Sequence, residues 1–143
     1  SFLNGQCLLT GCEAQESRGS SFYIDSGLNM FVGCLAADPS RSALASSGTP
    51  PAVRAGFHLA SANARHNVFS GCFTRPALTL NYSDYEAQMY AGTHAVYVET
   101  AAKANRGSIH TFDQAAYDVG KLGGGGLTSG LNTGLVIDGV ALT

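Results

Sequence analysis

Three short stretches of this chain repeat one another: Leu8-Leu9-Thr10-Gly11-Cys12, Met30-Phe31-Val32-Gly33-Cys34 and Val68-Phe69-Ser70-Gly71-Cys72. Each reads apolar, apolar, variable, Gly, Cys. Asn29 and Asn67 stand before the second and third copies, and Cys7 holds that place before the first. A second family runs out of phase with them: Phe22-Tyr23-Ile24-Asp25, Phe57-His58-Leu59-Ala60, Val96-Tyr97-Val98-Glu99 and Leu135-Val136-Ile137-Asp138. Two interleaved strand motifs recurring in step are what a chain wound into a solenoid of short strands produces. The expected fold class is therefore all-β, a solenoid of about four coils.

The spacings support this. Cys12 to Cys34 is 22 residues and Cys34 to Cys72 is 38, while a weaker copy at 108–112 places Phe112 40 residues after Cys72. About 22 residues suffices for one turn of three short strands and three corners at roughly 3.3 Å per strand residue. Longer intervals then read as the same turn carrying an insert, and inserts in solenoids collect on one side. Three are expected, near 38–54, 76–93 and 113–133, within a single segment covering 1–143. The first contains Pro50-Pro51, a stiff extended pair. The third holds the run Gly123 to Gly126, which reads as flexible. It is not a phosphate-binding loop, because Lys121 precedes the glycines and no Gly-Lys-Ser/Thr follows.

Period two sorts the strand faces. Phe22, Ile24, Phe57, Leu59, Val96, Val98, Leu135 and Ile137 are expected inward. Tyr23, His58, Tyr97 and Val136 form one outward column, and Asp25, Ala60, Glu99 and Asp138 the next. The glycine of each Gly-Cys pair marks a corner that needs positive φ or close approach. Asn29 and Asn67 are expected to stack as an amide ladder. Cys12, Cys34 and Cys72 share one repeat position, so a column of small buried hydrophobes is favoured over disulfides.

Composition narrows the partners. Charged residues make up 13% of the chain and the net charge is −2, so the electrostatic footprint of a nucleic-acid binder is missing. The apolar runs fall far below the ~18 residues that span a bilayer, and membrane insertion is not expected. With 45% hydrophobic residues and so little charge, part of the surface is expected to be covered by another copy of the chain. The four histidines are scattered, no short-range ligand spacing repeats, and neither a metal nor a cofactor is expected.

The pattern from Asn29 to Cys34 and from Asn67 to Cys72, with the strands at Tyr23, His58, Tyr97 and Val136 between, resembles the right-handed parallel β-helix of the pectin-lyase-like superfamily. Within it, the phage tailspike and tail-fibre proteins look most similar. The resemblance implies a homotrimer on the virion tail or another extracellular surface that binds host surface polysaccharide and in many cases cleaves it. The calcium and arginine motifs of pectate lyases have no counterpart here. The chain opens in what reads as the end of a coil and stops just after a strand, with no capping segment. A piece of a longer protein, or ends covered by other chains, is therefore expected.

Three functions follow as expectations. The first is glycan recognition, in which Tyr23, His58 and Tyr97, with Tyr82 and Tyr85 of the second insert, offer aromatic faces that stack on sugars. The second is glycan depolymerisation through outward carboxylates. Glu99 and Asp138 on neighbouring coils would lie about 5 Å apart, and Asp25 and Glu99 two coils apart at ~10 Å. The shorter separation suits a retaining carboxylate pair, and the longer lies slightly beyond an inverting one. The third is a structural stalk without a ligand.

Overall fold

Alternation of apolar and polar residues, interrupted by corner glycines, divides the chain into short strands that pair in parallel. The computed structural model describes residues 6–15, 19–37, 52–75, 94–111 and 122–143, and among these the protein is all-β apart from one 3-10 turn at Gly125–Leu127. One sheet runs in the order β1 (Leu8–Thr10), β4 (Met30–Val32), β7 (Val68–Arg75), β9 (Arg106–Thr111), β11 (Leu135–Ile137), β12 (Val140–Ala141). Alongside it, β2 (Glu13–Gln15) pairs with β5 (Leu35–Ala37), and β5 with β7. The second sheet contains β3 (Phe22–Ile24), β6 (Ala55–Leu59), β8 (His94–Val98) and β10 (Leu122–Gly123), in that order. The chain passes repeatedly from one sheet to the other, an arrangement compatible with a β-solenoid.

The register is the one the repeats require. Met30 pairs with Val68, Phe31 with Phe69, Phe57 with Val96 and His58 with Tyr97. Identical side chains consequently stack. Phe31 lies on Phe69 and Phe22 on Phe57, each pair with ring centroids 5.0 Å apart and planes 8° from parallel. The two stacks meet edge to face, Phe22 against Phe31 at 6.1 Å and Phe57 against Phe69 at 5.8 Å. Four rings from two sheets thus lock the apolar core, since aromatic pairs gain from offset and edge-on contact beyond their buried area.

Corner chemistry explains the Gly-Cys motif. Gly33 and Gly71 both have φ of +58°, and a Cβ on either would meet nothing within 4 Å. Glycine is needed there for its backbone conformation and not for space. The following residues, Cys34 and Cys72, are free thiols, fully buried among the apolar side chains. Burial pushes both thiols above the usual cysteine value. Cys12 is exposed, and among the described residues its repeat has a strand on one side only.

A ladder of buried asparagines runs along the corner before the first sheet. Asn29 Nδ2 donates to Asn67 Oδ1, Asn67 Nδ2 to Asn105 Oδ1 and Asn105 Nδ2 to Asn132 Oδ1, each at 3.0 Å. Each acceptor oxygen also takes the preceding rung's backbone N–H, and Cys7 N bonds Asn29 Oδ1 at 3.1 Å in the same way. The ladder is twice the length expected from Asn29 and Asn67. Asn132 escapes the pattern because two residues, Thr133 and Gly134, separate it from its strand, whereas the other three asparagines stand directly before theirs.

Three expectations are corrected. Leu135–Ile137 does not continue the Tyr23/His58/Tyr97 strands; it pairs with β9 in the first sheet, so Val136 lies beside Ser108. In the Cys72 column the next occupant is Ile109, not Phe112, because β7 and β9 shift register between Phe69 and Cys72. The segment 113–133 is not wholly insert, since β10 lies within it and pairs with β8. Its glycine run is close-packed: a Cβ on Gly123 would stand 2.5 Å from His94 Nε2, and one on Gly124 2.0 Å from the Val98 carbonyl oxygen. The expected insert 76–93 lies outside the described residues, as does 38–51 of the first.

Candidate functional site on the second sheet

The outward side chains of β3, β6 and β8 build one continuous aromatic column. Because these strands pair in parallel and in register, Tyr23, His58 and Tyr97 stand side by side. The ring centroids are 5.1 Å apart for Tyr23 and His58 and 5.3 Å for His58 and Tyr97, each pair nearly perpendicular. His94 extends the column, 5.0 Å from the Tyr97 ring. Gly123 on the neighbouring strand leaves His94 its room. Tyr23 is 42% exposed, whereas His58, between two tyrosines, retains only 7%. An outward position is here a covered one, because flanking rings close over the imidazole.

Two further groups face His58. Ser20 Oγ lies 3.4 Å from Nδ1 and also accepts the Ala55 backbone N–H at 3.0 Å. Glu99 Oε1 lies 3.5 Å from Nε2, an ion-pair separation in which Nε2 makes no directed hydrogen bond. Burial lowers the His58 pKa from the usual histidine value, and the Glu99 carboxylate works in the opposite direction. The His94 pKa is also lowered, first by burial and then by His58 and the Arg54 cation. Burial thus disfavours the imidazolium form at both histidines of the column.

The sequence-expected carboxylates separate. Glu99 joins the column through His58. Asp25 follows β3 at the same end of the sheet, and its Oδ1 accepts a hydrogen bond from Ser61 Oγ. Asp138 belongs elsewhere. It follows β11 in the first sheet, where its carboxylate accepts bonds from the Thr111 backbone N–H and hydroxyl. Asp138 and Gly139 have φ of 51° and 81° and join β11 to the antiparallel β12. Positive φ at both central residues is the signature of a tight hairpin turn, for which Asp-Gly is a preferred pair. The expected contact between Glu99 and Asp138 is thus absent, and Asp138 is a turn residue. Tyr82 and Tyr85 lie outside the described residues.

Sequence reasoning missed Ser20 and His94. Ser20 lies two residues before a strand and carries no repeat signal. His94, three residues before Tyr97, could have been found from its place at the start of the same strand family. No cluster of three or more His, Cys, Asp or Glu side chains suited to a metal occurs among the described residues. Comparisons with protein-family models, curated proteins and solved structures returned no match.

Proposed function

We propose that this chain is part of a right-handed parallel β-helix of tailspike or tail-fibre type, and that it recognises host cell-surface polysaccharide along the outward column of its second sheet. The observation that carries this reading is the run Tyr23, His58, Tyr97, His94. Four rings lie across three parallel strands, and the Asp25 and Glu99 carboxylates flank the column where β3 and β8 end. Repeating rings about one strand spacing apart offer a linear array of apolar faces, and adjacent carboxylates accept bonds from sugar hydroxyls. A polymer of repeating units suits such an array better than a compact ligand. Alternation of the chain between two parallel sheets and the stacked asparagines agree with coils closed into a helix. Recognition is favoured over glycoside cleavage because Asp138 is held in a turn and Asp25 is engaged by Ser61.

The test is binding to an array of bacterial surface polysaccharides, followed by titration of any hit. Tyr97→Ala is expected to weaken binding about two- to tenfold, as loss of a stacking face removes about 0.5–1.5 kcal/mol. Binding unaffected by both Tyr97→Ala and Tyr23→Ala would remove the column from recognition.

A further inference from the structure

We infer that Ser20, His58 and Glu99 form a nucleophile–base–acid relay that transfers acyl groups, with ester substituents on a carbohydrate as its substrate class. The carbohydrate part rests on the recognition reading above; the acyl chemistry rests on the three side chains alone. They come from three separate repeats and meet only because the strands pair in register. Ser20 Oγ is 3.4 Å from Nδ1, and Glu99 Oε1 is 3.5 Å from Nε2 on the opposite side of the same ring. The His58 side chain is 9% exposed, and its Nε2 is a buried polar atom without a directed hydrogen bond, beside the Glu99 carboxylate. A carboxylate there favours the Nε2–H tautomer. Nδ1 is then left as the acceptor that faces the serine hydroxyl. Nucleophile and base contacts are commonly long without substrate and tighten when it binds.

The chemistry balances without a further reactant except water. Ser20 Oγ bonds to the ester carbonyl carbon while its proton passes to His58 Nδ1. Glu99 stabilises the resulting imidazolium through Nε2–H. The bond from carbon to the sugar oxygen then breaks, and that oxygen takes the proton from Nδ1 and leaves as a free hydroxyl. Water adds to the acyl-serine, gives its proton to Nδ1, and the acyl–Oγ bond breaks. The carboxylic acid departs and Ser20 recovers its proton. The Ala55 N–H that donates to Ser20 Oγ at 3.0 Å occupies one lone pair and fixes the hydroxyl beside the ring. Tyr23 and Tyr97 flank the imidazole and would hold the sugar against it.

The experiment uses two probes, a fluorophosphonate followed by intact mass and peptide mapping, and p-nitrophenyl acetate turnover. A single adduct on Ser20 is expected. Turnover should fall by roughly 100-fold or more in His58→Gln, the scale of a lost general base. The rate is expected to rise with pH through an inflection below that of an ordinary histidine, which a structural histidine would not produce. Glu99→Gln, at an exposed carboxylate, should lower the rate at least tenfold in a protein with unchanged circular dichroism. Absence of both adduct and turnover in the folded wild-type protein would overturn the inference, and so would an adduct on another residue. Ser20 that reacts in a protein binding no glycan supports the relay and removes the recognition reading, so the two fail separately.

Discussion

Leu28, His66 and Ala104 each hold a left-handed backbone conformation, at φ of 63°, 57° and 56°, immediately before an asparagine of the ladder. An L-residue there costs roughly 1–2 kcal/mol. The strain persists because the next residue is bonded on both sides, as Asn105 is to Asn67 and Asn132. Ala104→Gly is expected to raise stability by about 1 kcal/mol, seen as a higher urea midpoint. Gly33→Ala should move the midpoint down by a similar amount, although its Cβ would meet nothing within 4 Å. Unchanged midpoints in both would mean that the left-handed backbone carries no cost here. The histidines of the column make a second prediction. Burial lowers the pKa of His58 and of His94, so the unfolded chain takes up protons first as pH falls. Their contribution is therefore fully present above about pH 6.5 and is lost as pH drops below that toward the folded values. Thermal midpoints should decline over that window, and His58→Gln should flatten the decline.

The asparagine ladder acts as an element in its own right, a column of amides that fixes one corner of every repeat it touches. Asn67 Oδ1 accepts from both the side chain and the backbone of Asn29, while its Nδ2 donates to Asn105 and to the Ser26 carbonyl. Removing that side chain leaves several buried donors and acceptors without partners, each costing about 1–3 kcal/mol. Asn67→Ala is accordingly expected to lower stability by roughly 3–5 kcal/mol and to broaden the unfolding transition by loosening one repeat from the next. The terminal rung, Asn132, supports a neighbour on one side only in the ladder, and Asn132→Ala should cost less. Equal losses at the two positions would show that the amides act independently. The β11–β12 hairpin is the other element worth separating from function. It turns an otherwise parallel sheet antiparallel at its last strand, so that the outer edge presents the short β12. Short edge strands are poor templates for further pairing.

For the whole molecule, the first sheet presents Leu8, Met30 and Phe73 outward at 68%, 44% and 40% exposure, on strands β1, β4 and β7. Leu8 and Met30 are register partners, and adjacent exposed apolar side chains favour contact with another copy of the chain. The tailspike-type reading proposed above implies a trimer, so on that reading light scattering is expected to give three times the chain mass, and Met30→Lys to lower it. A monomer at micromolar concentration would remove the trimer. The all-β class, the first strand family, three of the four strands of the second, the inward phenylalanines and the corner glycines were legible in the sequence. They follow from a local period of two and from like residues recurring at matched positions, so each repeat reports on the next. The amide ladder was half legible, and its last rung was hidden by the two residues between Asn132 and its strand. What tertiary structure alone decided was which strands lie side by side after connections of unequal length. That choice moved Leu135–Ile137 to the first sheet and took Asp138 from the column to a hairpin turn. It also brought Ser20 to His58 across 38 residues. The physical reason is that such contacts are set by register between distant segments, to which neither local propensity nor hydrophobic period is sensitive. The covering of an outward histidine by the rings on either side is decided in the same way.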